Sequence, residues 1–479
     1  MTAPSRGQGT TGPAPRRAGG DHDRFEEAYR AGVTGEAPPS EGLAAGPVTR
    51  AAPVEAVALR GCVLTPDEVV DDGCVVVGLD GRIAAVQAQP PQGVRVRETG
   101  GVILPGLIDL HGHPEFNVFA AWEPPRVFTN RYQWRGSDLY QALVRDPQNR
   151  LLEALPPGTQ LRYAEVRAVA GGTTAIQGAS GRTSSADEAL VRNVDLRVFG
   201  EHKARSMIDL PSAGSRDLER LQQILAAVGT GAVTAFYLHL AEGRADDPRS
   251  QREFDRLVEL GALTRATVII HGCALTREQL GQVAAAGAKL VWSPQSNLRL
   301  YGETTRAADA LALGVPLGLG ADWLPSGSTS LLAELKVAVR MLAAQGHQPD
   351  PRQMVNMVTT TAARIAGLGD HLGALLPGRP ADVLVLERHH RDPWENVLAA
   401  DPSWVELVMV DGDLTYGRAD WVAELAEDAG RLEPLVAWGK RMLLDTSFQA
   451  RPGGAPPPTL AQLRAALVEH YPQVGPIFA

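Results

Sequence analysis

One stretch decides the fold: GVILPGLIDLHGHP, residues 101–114, an apolar run that ends in two histidines separated by one glycine. In an extended chain, side chains two residues apart project from the same face. His111 and His113 can therefore reach one metal ion, while Gly112 lets another part of the backbone pass close by. The short length and the break at Pro105-Gly106 favour a buried strand over a membrane span. Two surface histidines at a strand end are the alternative that this stretch alone leaves open.

The composition predicts a soluble globular protein. The chain has 479 residues and is 44% hydrophobic, which is enough for one large α/β domain and a smaller one. The formal charge is −9 and the chain shows no block of Lys or Arg, so neither nucleic acid nor a membrane is an expected partner. Cys62, Cys74 and Cys273 show no metal or disulfide spacing, and reduced thiols predict a cytoplasmic location. No secretory signal pattern is visible at the N-terminus.

The chain begins and ends with segments of different character. Residues 1–50 are rich in Pro, Gly, Ala and Ser and are predicted to be a disordered leader. Residues 51–104 show short strand patterns separated by Asp-Gly turns and are predicted to form a small β unit. Residues 421–479 are predicted to be a helical C-terminal extension, with helices over 423–438 and 460–470.

The segment between these ends alternates strands with helices. Strand patterns follow the histidine strand near residues 172–178, 196–199, 206–210, 234–240, 266–271, 289–293 and 316–320, which makes eight strands in all. Eight strands joined by helices predict an α/β protein with a (β/α)8 TIM barrel over residues 105–369. A doubly wound sheet is the competing topology. It would usually carry a Gly-rich dinucleotide loop after its first strand, whereas the loop here begins His-Gly-His-Pro-Glu.

Residues that bind metals or move protons fall where a barrel places its active site, at the carboxyl ends of the strands. His239 ends the fifth strand, and Glu242 follows it by three residues. His271 ends the sixth strand and Asp322 follows the eighth. Each has an ordinary structural alternative, such as a helix N-cap for Asp322. Together with the first-strand pair they predict a metal site.

These residues, in this order, resemble the amidohydrolase superfamily over roughly residues 53–415. The resemblance rests on His111-Gly112-His113, Gly171-Gly172-Thr173-Thr174, His239-Leu240-Ala241-Glu242, His271, Ser296-Asn297-Leu298 and Asp322. The His-x-x-Glu element is similar to the mononuclear branch, which includes cytosine, guanine, adenosylhomocysteine and triazine aminohydrolases. The run over residues 376–383 resembles the returning β segment of the family. Residues 51–104 and 370–420 are therefore expected to form one small β-sandwich domain beside the barrel.

The resemblance implies one metal ion per chain. His111, His113, His239 and Asp322 are the expected ligands, and three imidazoles with one carboxylate suit Zn²⁺, with Fe²⁺ as the alternative. A bound ion of this kind lowers the pKa of water to about 7 and yields hydroxide at neutral pH. A second, bridged metal is not expected. Lys203, the nearest candidate for a bridging lysine, precedes its strand and would lie at the wrong end.

The resemblance also implies how the remaining residues act. Glu242, His271 and Asp322 are the expected catalytic residues: His271 hydrogen-bonds the attacking water and the developing tetrahedral oxygen, and Glu242 carries a proton to the substrate nitrogen. The implied enzyme is a metal-dependent hydrolase of carbon–nitrogen bonds other than peptide bonds. Aminohydrolase (deaminase) action on a planar, nitrogen-containing small molecule is the expected reaction.

Substrate contacts and the exact reaction are less constrained by the sequence. Glu115, Trp122, Trp134, Asn297 and Trp323 are predicted to bind the substrate. Many deaminases of this branch place small and amide residues after the last aspartate, where this chain has Trp-Leu-Pro. Ring opening of a cyclic amide, lactam or imidazolone therefore stays open, as does a non-catalytic relative. The sequence also leaves a homo-oligomer open.

Overall fold

The computed structural model describes residues 56–156, 158–179, 190–196, 198–212, 214–426, 429–446 and 457–478. The predicted leader, residues 1–50, lies outside these ranges. The strands are β1 (Val57–Leu64), β2 (Val69–Val77), β3 (Ile83–Gln87), β4 (Arg95–Pro105), β5 (Leu107–Asp109), β6 (Thr173–Ile176), β7 (Arg192–Asn193), β8 (Ala204–Met207), β9 (Ala235–Leu240), β10 (Thr267–His271), β11 (Lys289–Trp292), β12 (Leu317–Leu319), β13 (Val383–Leu386), β14 (Val405–Val410), β15 (Asp413–Arg418), β16 (Glu433–Ala437) and β17 (Lys440–Leu444).

Helices occupy much of the chain between the strands. They are α1 (Arg131–Arg135), α2 (Asp138–Tyr140), α3 (Asp146–Ala154), α4 (Thr159–Ala170), α5 (Arg216–Gly229), α6 (Pro248–Glu259), α7 (Arg277–Ala285), α8 (Pro294–Tyr301), α9 (Ala307–Ala312), α10 (Leu331–Ala344), α11 (Pro351–Asn356), α12 (Thr360–Ile365), α13 (Pro393–Ala399), α14 (Ala419–Leu425) and α15 (Leu460–His470). Among the described residues, none of these helices has the length and apolar content that crossing a membrane requires.

Two parallel sheets lie in the middle of the chain. One has the order β5-β6-β7 and the other the order β12-β11-β10-β9-β8. Helices lie between β5 and β6 and between each successive pair of strands from β8 to β12, as is usual for parallel pairing. The end strands of the two sheets meet, because the Leu110 amide donates to the Leu319 carbonyl at 3.2 Å. The result is a mixed α/β fold with parallel sheets whose carboxyl ends face one side.

The third parallel strand differs from the prediction. It covers Arg192–Asn193 rather than residues 196–199. Asp195 ends it early, since its carboxylate accepts hydrogen bonds from the Gly178 amide and the Ser206 hydroxyl and so draws the chain toward β6 and β8. Side-chain hydrogen bonds of this kind compete with strand pairing and are hard to read from a local pattern.

The strands from the two ends of the chain form a third sheet. It has nine strands in the order β16-β17-β15-β14-β13-β4-β1-β2-β3, so residues 57–105 pair with residues 383–444. The junction is antiparallel pairing of β13 with β4, from Val383 opposite Pro105 to Leu386 opposite Val102. Because β4 runs directly into β5, this sheet anchors the histidine strand.

The prediction of a helix over residues 423–438 is wrong for most of its length. A helix covers Ala419–Leu425, and β16 and β17 then form a hairpin that pairs with β15. Trp438 and Gly439 make the turn, with φ of 48° and 81°. Two left-handed residues in succession give the turn that matches the twist of paired strands. The second predicted helix, over residues 460–470, is confirmed.

Candidate metal and catalytic site

The carboxyl ends of the parallel strands bring the predicted metal ligands together. His111 and His113 follow β5, His239 lies on β9, and Asp322 follows β12. Potential ligand atoms of His111, His113 and His239 lie within 4.8 Å of one another, as do those of His111, His271 and Asp322. The alternative role of Asp322 as a helix N-cap does not apply, because Ser330 caps α10.

The distances within this cluster are short. His111 Nε2 lies 3.1 Å from Asp322 Oδ1, and His113 Nε2 lies 4.0 Å from the same oxygen. The ring of His111 lies 4.8 Å from that of His239, centroid to centroid. His271 Nε2 lies 3.9 Å from Asp322 Oδ2. These nitrogen and oxygen atoms therefore surround one small volume.

Backbone conformation turns these side chains inward. His113, Ala241, His271 and Asp322 all have positive φ, between 40° and 67°, although none is a glycine. Left-handed conformations are unfavourable for residues with a Cβ and concentrate at functional sites. Each of these residues lies where a parallel strand gives way to its loop, so the strain accompanies the change of direction that aims the ligands.

Burial and neighbouring charge set the protonation of the cluster. Burial lowers the pKa of His113 to about 3 and that of His239 well below its ordinary value. Burial alone would raise the pKa of Asp322, but the neighbouring histidines outweigh it and hold that pKa well below its usual range. The neutral imidazoles of His113 and His239, beside the ionised carboxylate of Asp322, offer lone pairs to a cation.

The residues present fit a bound metal ion. Both ring nitrogens of His111 are buried without a hydrogen-bond partner, and the 3.1 Å approach of its Nε2 to Asp322 lacks hydrogen-bond geometry. Orphaned buried nitrogens are costly unless a ligand satisfies them. Three imidazoles and one carboxylate are also a donor set that suits zinc.

Glu242 and His271 stand beside the ligand cluster. Glu242 Oε2 lies 3.7 Å from His271 Nε2, and both side chains are buried. His271 Nδ1 donates to Asn297 Oδ1 at 2.9 Å. Asn297 is oriented in turn, because its Nδ2 donates to Thr304 Oγ1 at 3.1 Å. With Nδ1 carrying the hydrogen, Nε2 of His271 faces the cluster as an acceptor.

A cavity of about 60 Å³ opens onto these groups. Aromatic and apolar side chains form most of its wall, and two arginines add positive charge. The lining residues are His113, Phe116, Arg131, Trp134, Arg135, Tyr140, Ile208, His239, Glu242, His271, Asp322 and Trp323. Apolar walls with a few converging polar groups are typical of small-molecule sites.

Two of the five residues predicted to bind substrate line this cavity, Trp134 and Trp323. Trp122 stands behind them, with its ring 5.2 Å from that of Trp323 and only 1% of its surface exposed. Asn297 lies behind His271 instead of at the wall. Glu115 is buried and is not among the residues that line the cavity. Burial is the main cause of the raised pKa of Glu165, and the negative charge of Glu115 raises it further.

Three residues at or behind this wall were not among the predicted site residues. Arg131 is buried and pairs with Glu253 at 3.1 Å, and Arg135 pairs with Asp209 at 3.2 Å. Tyr301 donates a hydrogen bond of 2.6 Å to Glu242 Oε1. A signal for Tyr301 was present, since it follows Asn297 by four residues on one helix and therefore shares its face.

Lys203 lies where the sequence placed it. It precedes β8, and its ammonium group pairs with Glu201 at 2.5 Å, away from the carboxyl end of the strand.

Comparisons with known proteins identify similar sequences and similar folds. The model of the amidohydrolase family matches residues 214–415. A 5-methylthioadenosine/S-adenosylhomocysteine deaminase of Teredinibacter turnerae is 27% identical over 62% of this chain and 74% of its own length. The protein of the same name from Desulforudis audaxviator is 25% identical over 74% of this chain and 90% of its own. An adenosine deaminase structure from Xanthomonas campestris with bound zinc superposes with a TM-score of 0.62 at 17% identity, covering 88% of this chain and 98% of that one.

Proposed function

We propose that this chain, whose resemblance to the amidohydrolase superfamily is confirmed, is a metal-dependent aminohydrolase that removes an exocyclic amine from a planar nitrogen heterocycle. The chain is a hydrolytic enzyme that acts on carbon–nitrogen bonds. One observation carries the finer assignment: the Glu242 and His271 pair stands between the His/Asp cluster and a cavity walled by Trp134 and Trp323. These two tryptophans contact each other, with ring centroids 5.4 Å apart, and form one aromatic wall. We propose that a flat ring lies against this wall, with its amine directed at the pair.

His111, His113, His239 and Asp322 would hold the metal, and we propose one Zn²⁺ per chain, with Fe²⁺ as the alternative. When bound, such an ion lowers the pKa of water to about 7 and stabilises developing negative charge. Lys203 takes no part, because its pairing with Glu201 lies at the other end of its strand.

The protein's own residues perform the proton transfers. Asn297 fixes the His271 ring, so that Nε2 accepts a hydrogen bond from the attacking water and takes one of its two protons. The resulting imidazolium stabilises the tetrahedral oxygen and gives this proton up when that intermediate collapses. Glu242 Oε2 takes a proton from the water and delivers it to the leaving nitrogen. Trp134 and Trp323 hold the ring and exclude bulk water from the reacting carbon.

We further propose that the two parallel sheets are parts of one (β/α)8 barrel. The hydrogen bond between Leu110 and Leu319 supports this, because it joins the two edge strands β5 and β12. The nine-stranded sheet would be the β-sandwich domain, since strands from both of its halves contribute to one apolar core that includes Val57, Val75 and Leu407. The predicted limits are 51–104 with 370–420 for this domain and 105–369 for the barrel, and the pairing of β16 and β17 with β15 extends the second part of the sheet to residue 444.

The proposed setting is a cytoplasmic enzyme with a small-molecule substrate. The three thiols, Cys62, Cys74 and Cys273, are buried and unpaired, which suits a reducing compartment.

Ammonia release from a panel of amines tests the reaction. The panel contains 5-methylthioadenosine, S-adenosylhomocysteine, adenosine and guanine, together with cyclic amides whose opening is followed by loss of ring absorbance. Ammonia release in step with substrate loss supports deamination. Ring opening without ammonia release would instead support the alternative reaction, hydrolysis of a cyclic amide. The bulk of Trp323 next to Asp322 favours that alternative. No turnover of any member by the zinc-loaded protein would contradict both.

Two variants test the assigned roles. His239→Ala is expected to lower metal content because it removes an imidazole ligand. Glu242→Gln is expected to keep the metal and lose most turnover, since an amide cannot carry the proton. Elemental analysis and ammonia release give the two readouts. Equal metal loss in both variants would mean that Glu242 is itself a ligand. Two metals per chain, one of them lost on replacing Lys203, would overturn the single-metal site.

A further inference from the structure

We infer that Tyr301 is a positioning residue for the proton transfer: it holds one carboxylate oxygen of Glu242 so that the other oxygen alone serves the substrate. This inference rests on the function proposed above. It concerns a side chain outside the cavity wall, which acts through Glu242 and not by touching the substrate.

Three buried side chains form a continuous chain of hydrogen bonds. Trp134 Nε1 lies 2.8 Å from Tyr301 Oη, and Tyr301 Oη lies 2.6 Å from Glu242 Oε1. Tyr301 is 0% exposed, Glu242 3% and Trp134 9%. In such an environment a hydrogen bond to a carboxylate is stronger than in water, and losing it leaves an oxygen without a partner.

The direction of this chain follows from its first member. An indole N–H can only donate, so Trp134 occupies a lone pair on Tyr301 Oη. The hydroxyl hydrogen of Tyr301 is then free to point at Glu242 Oε1. That hydrogen bond occupies a lone pair of Oε1 and fixes this oxygen in place.

The second carboxylate oxygen of Glu242, Oε2, is the one available for proton transfer. Oε2 lies 3.7 Å from His271 Nε2, and Glu242 lines the cavity. With Oε1 held by Tyr301, the carboxylate cannot rotate without breaking a short buried hydrogen bond. The oxygen that faces the cavity therefore stays the same throughout a turnover.

One helix supplies both supports of the proton-transfer pair. Asn297 and Tyr301 lie four residues apart on α8, Pro294–Tyr301, and so share a face. Asn297 holds the His271 ring, and Tyr301 holds Glu242. The helix ends directly after Tyr301, at Gly302 with φ of 72°. The buried face of this helix therefore fixes where His271 and Glu242 lie relative to each other.

The first experiment replaces Tyr301 with Phe, which keeps the ring and removes the hydroxyl. We expect kcat to fall about 10- to 100-fold, the range that a hydrogen bond to a charged group supplies. KM should change less than twofold, because Tyr301 does not line the cavity. The substrate in this assay is the member of the panel above that is found to release ammonia. Tyr416→Phe is the matched control, since that buried hydroxyl has no hydrogen-bond partner and lies in the nine-stranded sheet.

A double substitution separates positioning from general support of the fold. In a Glu242→Gln background, Tyr301→Phe should cost no further turnover, because its effect passes through the carboxylate. Equal additional loss in that background would overturn the inference, and so would loss of metal in Tyr301→Phe alone. An unchanged kcat in Tyr301→Phe, with Glu242→Gln inactive, would refute this inference and leave the proposed function standing. An active Glu242→Gln would refute the proposed function itself.

Discussion

Gly320 is expected to determine whether His111 can reach the metal. It precedes Asp322 by two residues, and its backbone passes directly against the first-strand histidine. A Cβ at position 320 would lie 2.5 Å from His111 Cβ, 2.6 Å from its amide nitrogen and 2.9 Å from its Cα. Two of these three atoms are backbone, so the collision cannot be relieved by turning a side chain.

The cost of Gly320→Ala follows from this contact. Forcing a methyl group into a packed site costs about 1–3 kcal/mol, because neighbouring backbone must shift. The atoms that must shift belong to His111, which is 0% exposed and bounded on all sides. Displacing a metal-binding imidazole by misplacing its support typically weakens metal binding about 10- to 100-fold. We therefore expect Gly320→Ala to lose metal affinity by that factor.

Competition with a zinc chelator of known affinity measures this loss directly. Gly281→Ala is the matched control: nothing lies within 4 Å of a Cβ there, and the residue is inside the helix Arg277–Ala285. That substitution should leave metal affinity unchanged and stabilise the helix by about 0.5–1 kcal/mol. Wild-type metal affinity in Gly320→Ala would refute the argument, since the close approach would then not hold His111 in place.

Three further predictions follow from other parts of the chain. Burial raises the pKa of Glu165 to about 7 from an ordinary 4.5, so its contribution to stability is present below pH 4.5 and is lost as the pH rises through 7. The free energy of unfolding of Glu165→Gln, measured by denaturant titration, should therefore rise by about 3 kcal/mol relative to wild type across that window. A difference that does not change with pH would refute this. Arg131→Met should destabilise the fold by about 3–5 kcal/mol, because Glu253 would be left buried without its cation. In the same titration, Arg277→Met at an exposed pair should cost less than about 1 kcal/mol. A chain starting at residue 51 should keep metal and activity, while one starting at residue 100 loses β1 to β3 and should be insoluble or metal-free; loss of activity in the longer chain would show that the leader serves the site.

The sequence predicted the strand ends well because their signals are local. An apolar run that stops at a histidine or an aspartate is visible without any knowledge of packing, and His111, His239, His271 and Asp322 lie where such runs predicted. The same locality explains the errors. The helix predicted over residues 423–438 includes the first strand of the hairpin, Glu433–Ala437, because its apolar residues also fit a helical spacing. The turn at Trp438-Gly439 carries no Asn-Gly or Asp-Gly signal that would indicate a hairpin.

The roles of residues whose partners lie far along the chain could not be predicted from the sequence. Asn297 was predicted to touch the substrate, yet its partner is His271, 26 residues away. Arg131 reaches the site because Glu253, 122 residues later, holds it. Such pairings are set by how helices and strands pack in three dimensions. A pattern of residue types along the chain contains no measure of that.

Asp109 explains how the proposed metal ligands are held in place by the protein itself. Its Oδ1 accepts the amide hydrogens of His111 and Ala321, each at 3.1 Å, and so joins the ends of β5 and β12 directly beside two ligands. The Asp322 amide adds a 2.6 Å hydrogen bond to the His111 carbonyl. Left-handed conformations such as that of Asp322 cost about 1–3 kcal/mol each and persist only where surrounding contacts determine them. These buried hydrogen bonds are such contacts, and none of them requires an ion. The strained strand ends are therefore fixed before the metal arrives, and its binding energy can go into holding and polarising water instead of into ordering its own ligands.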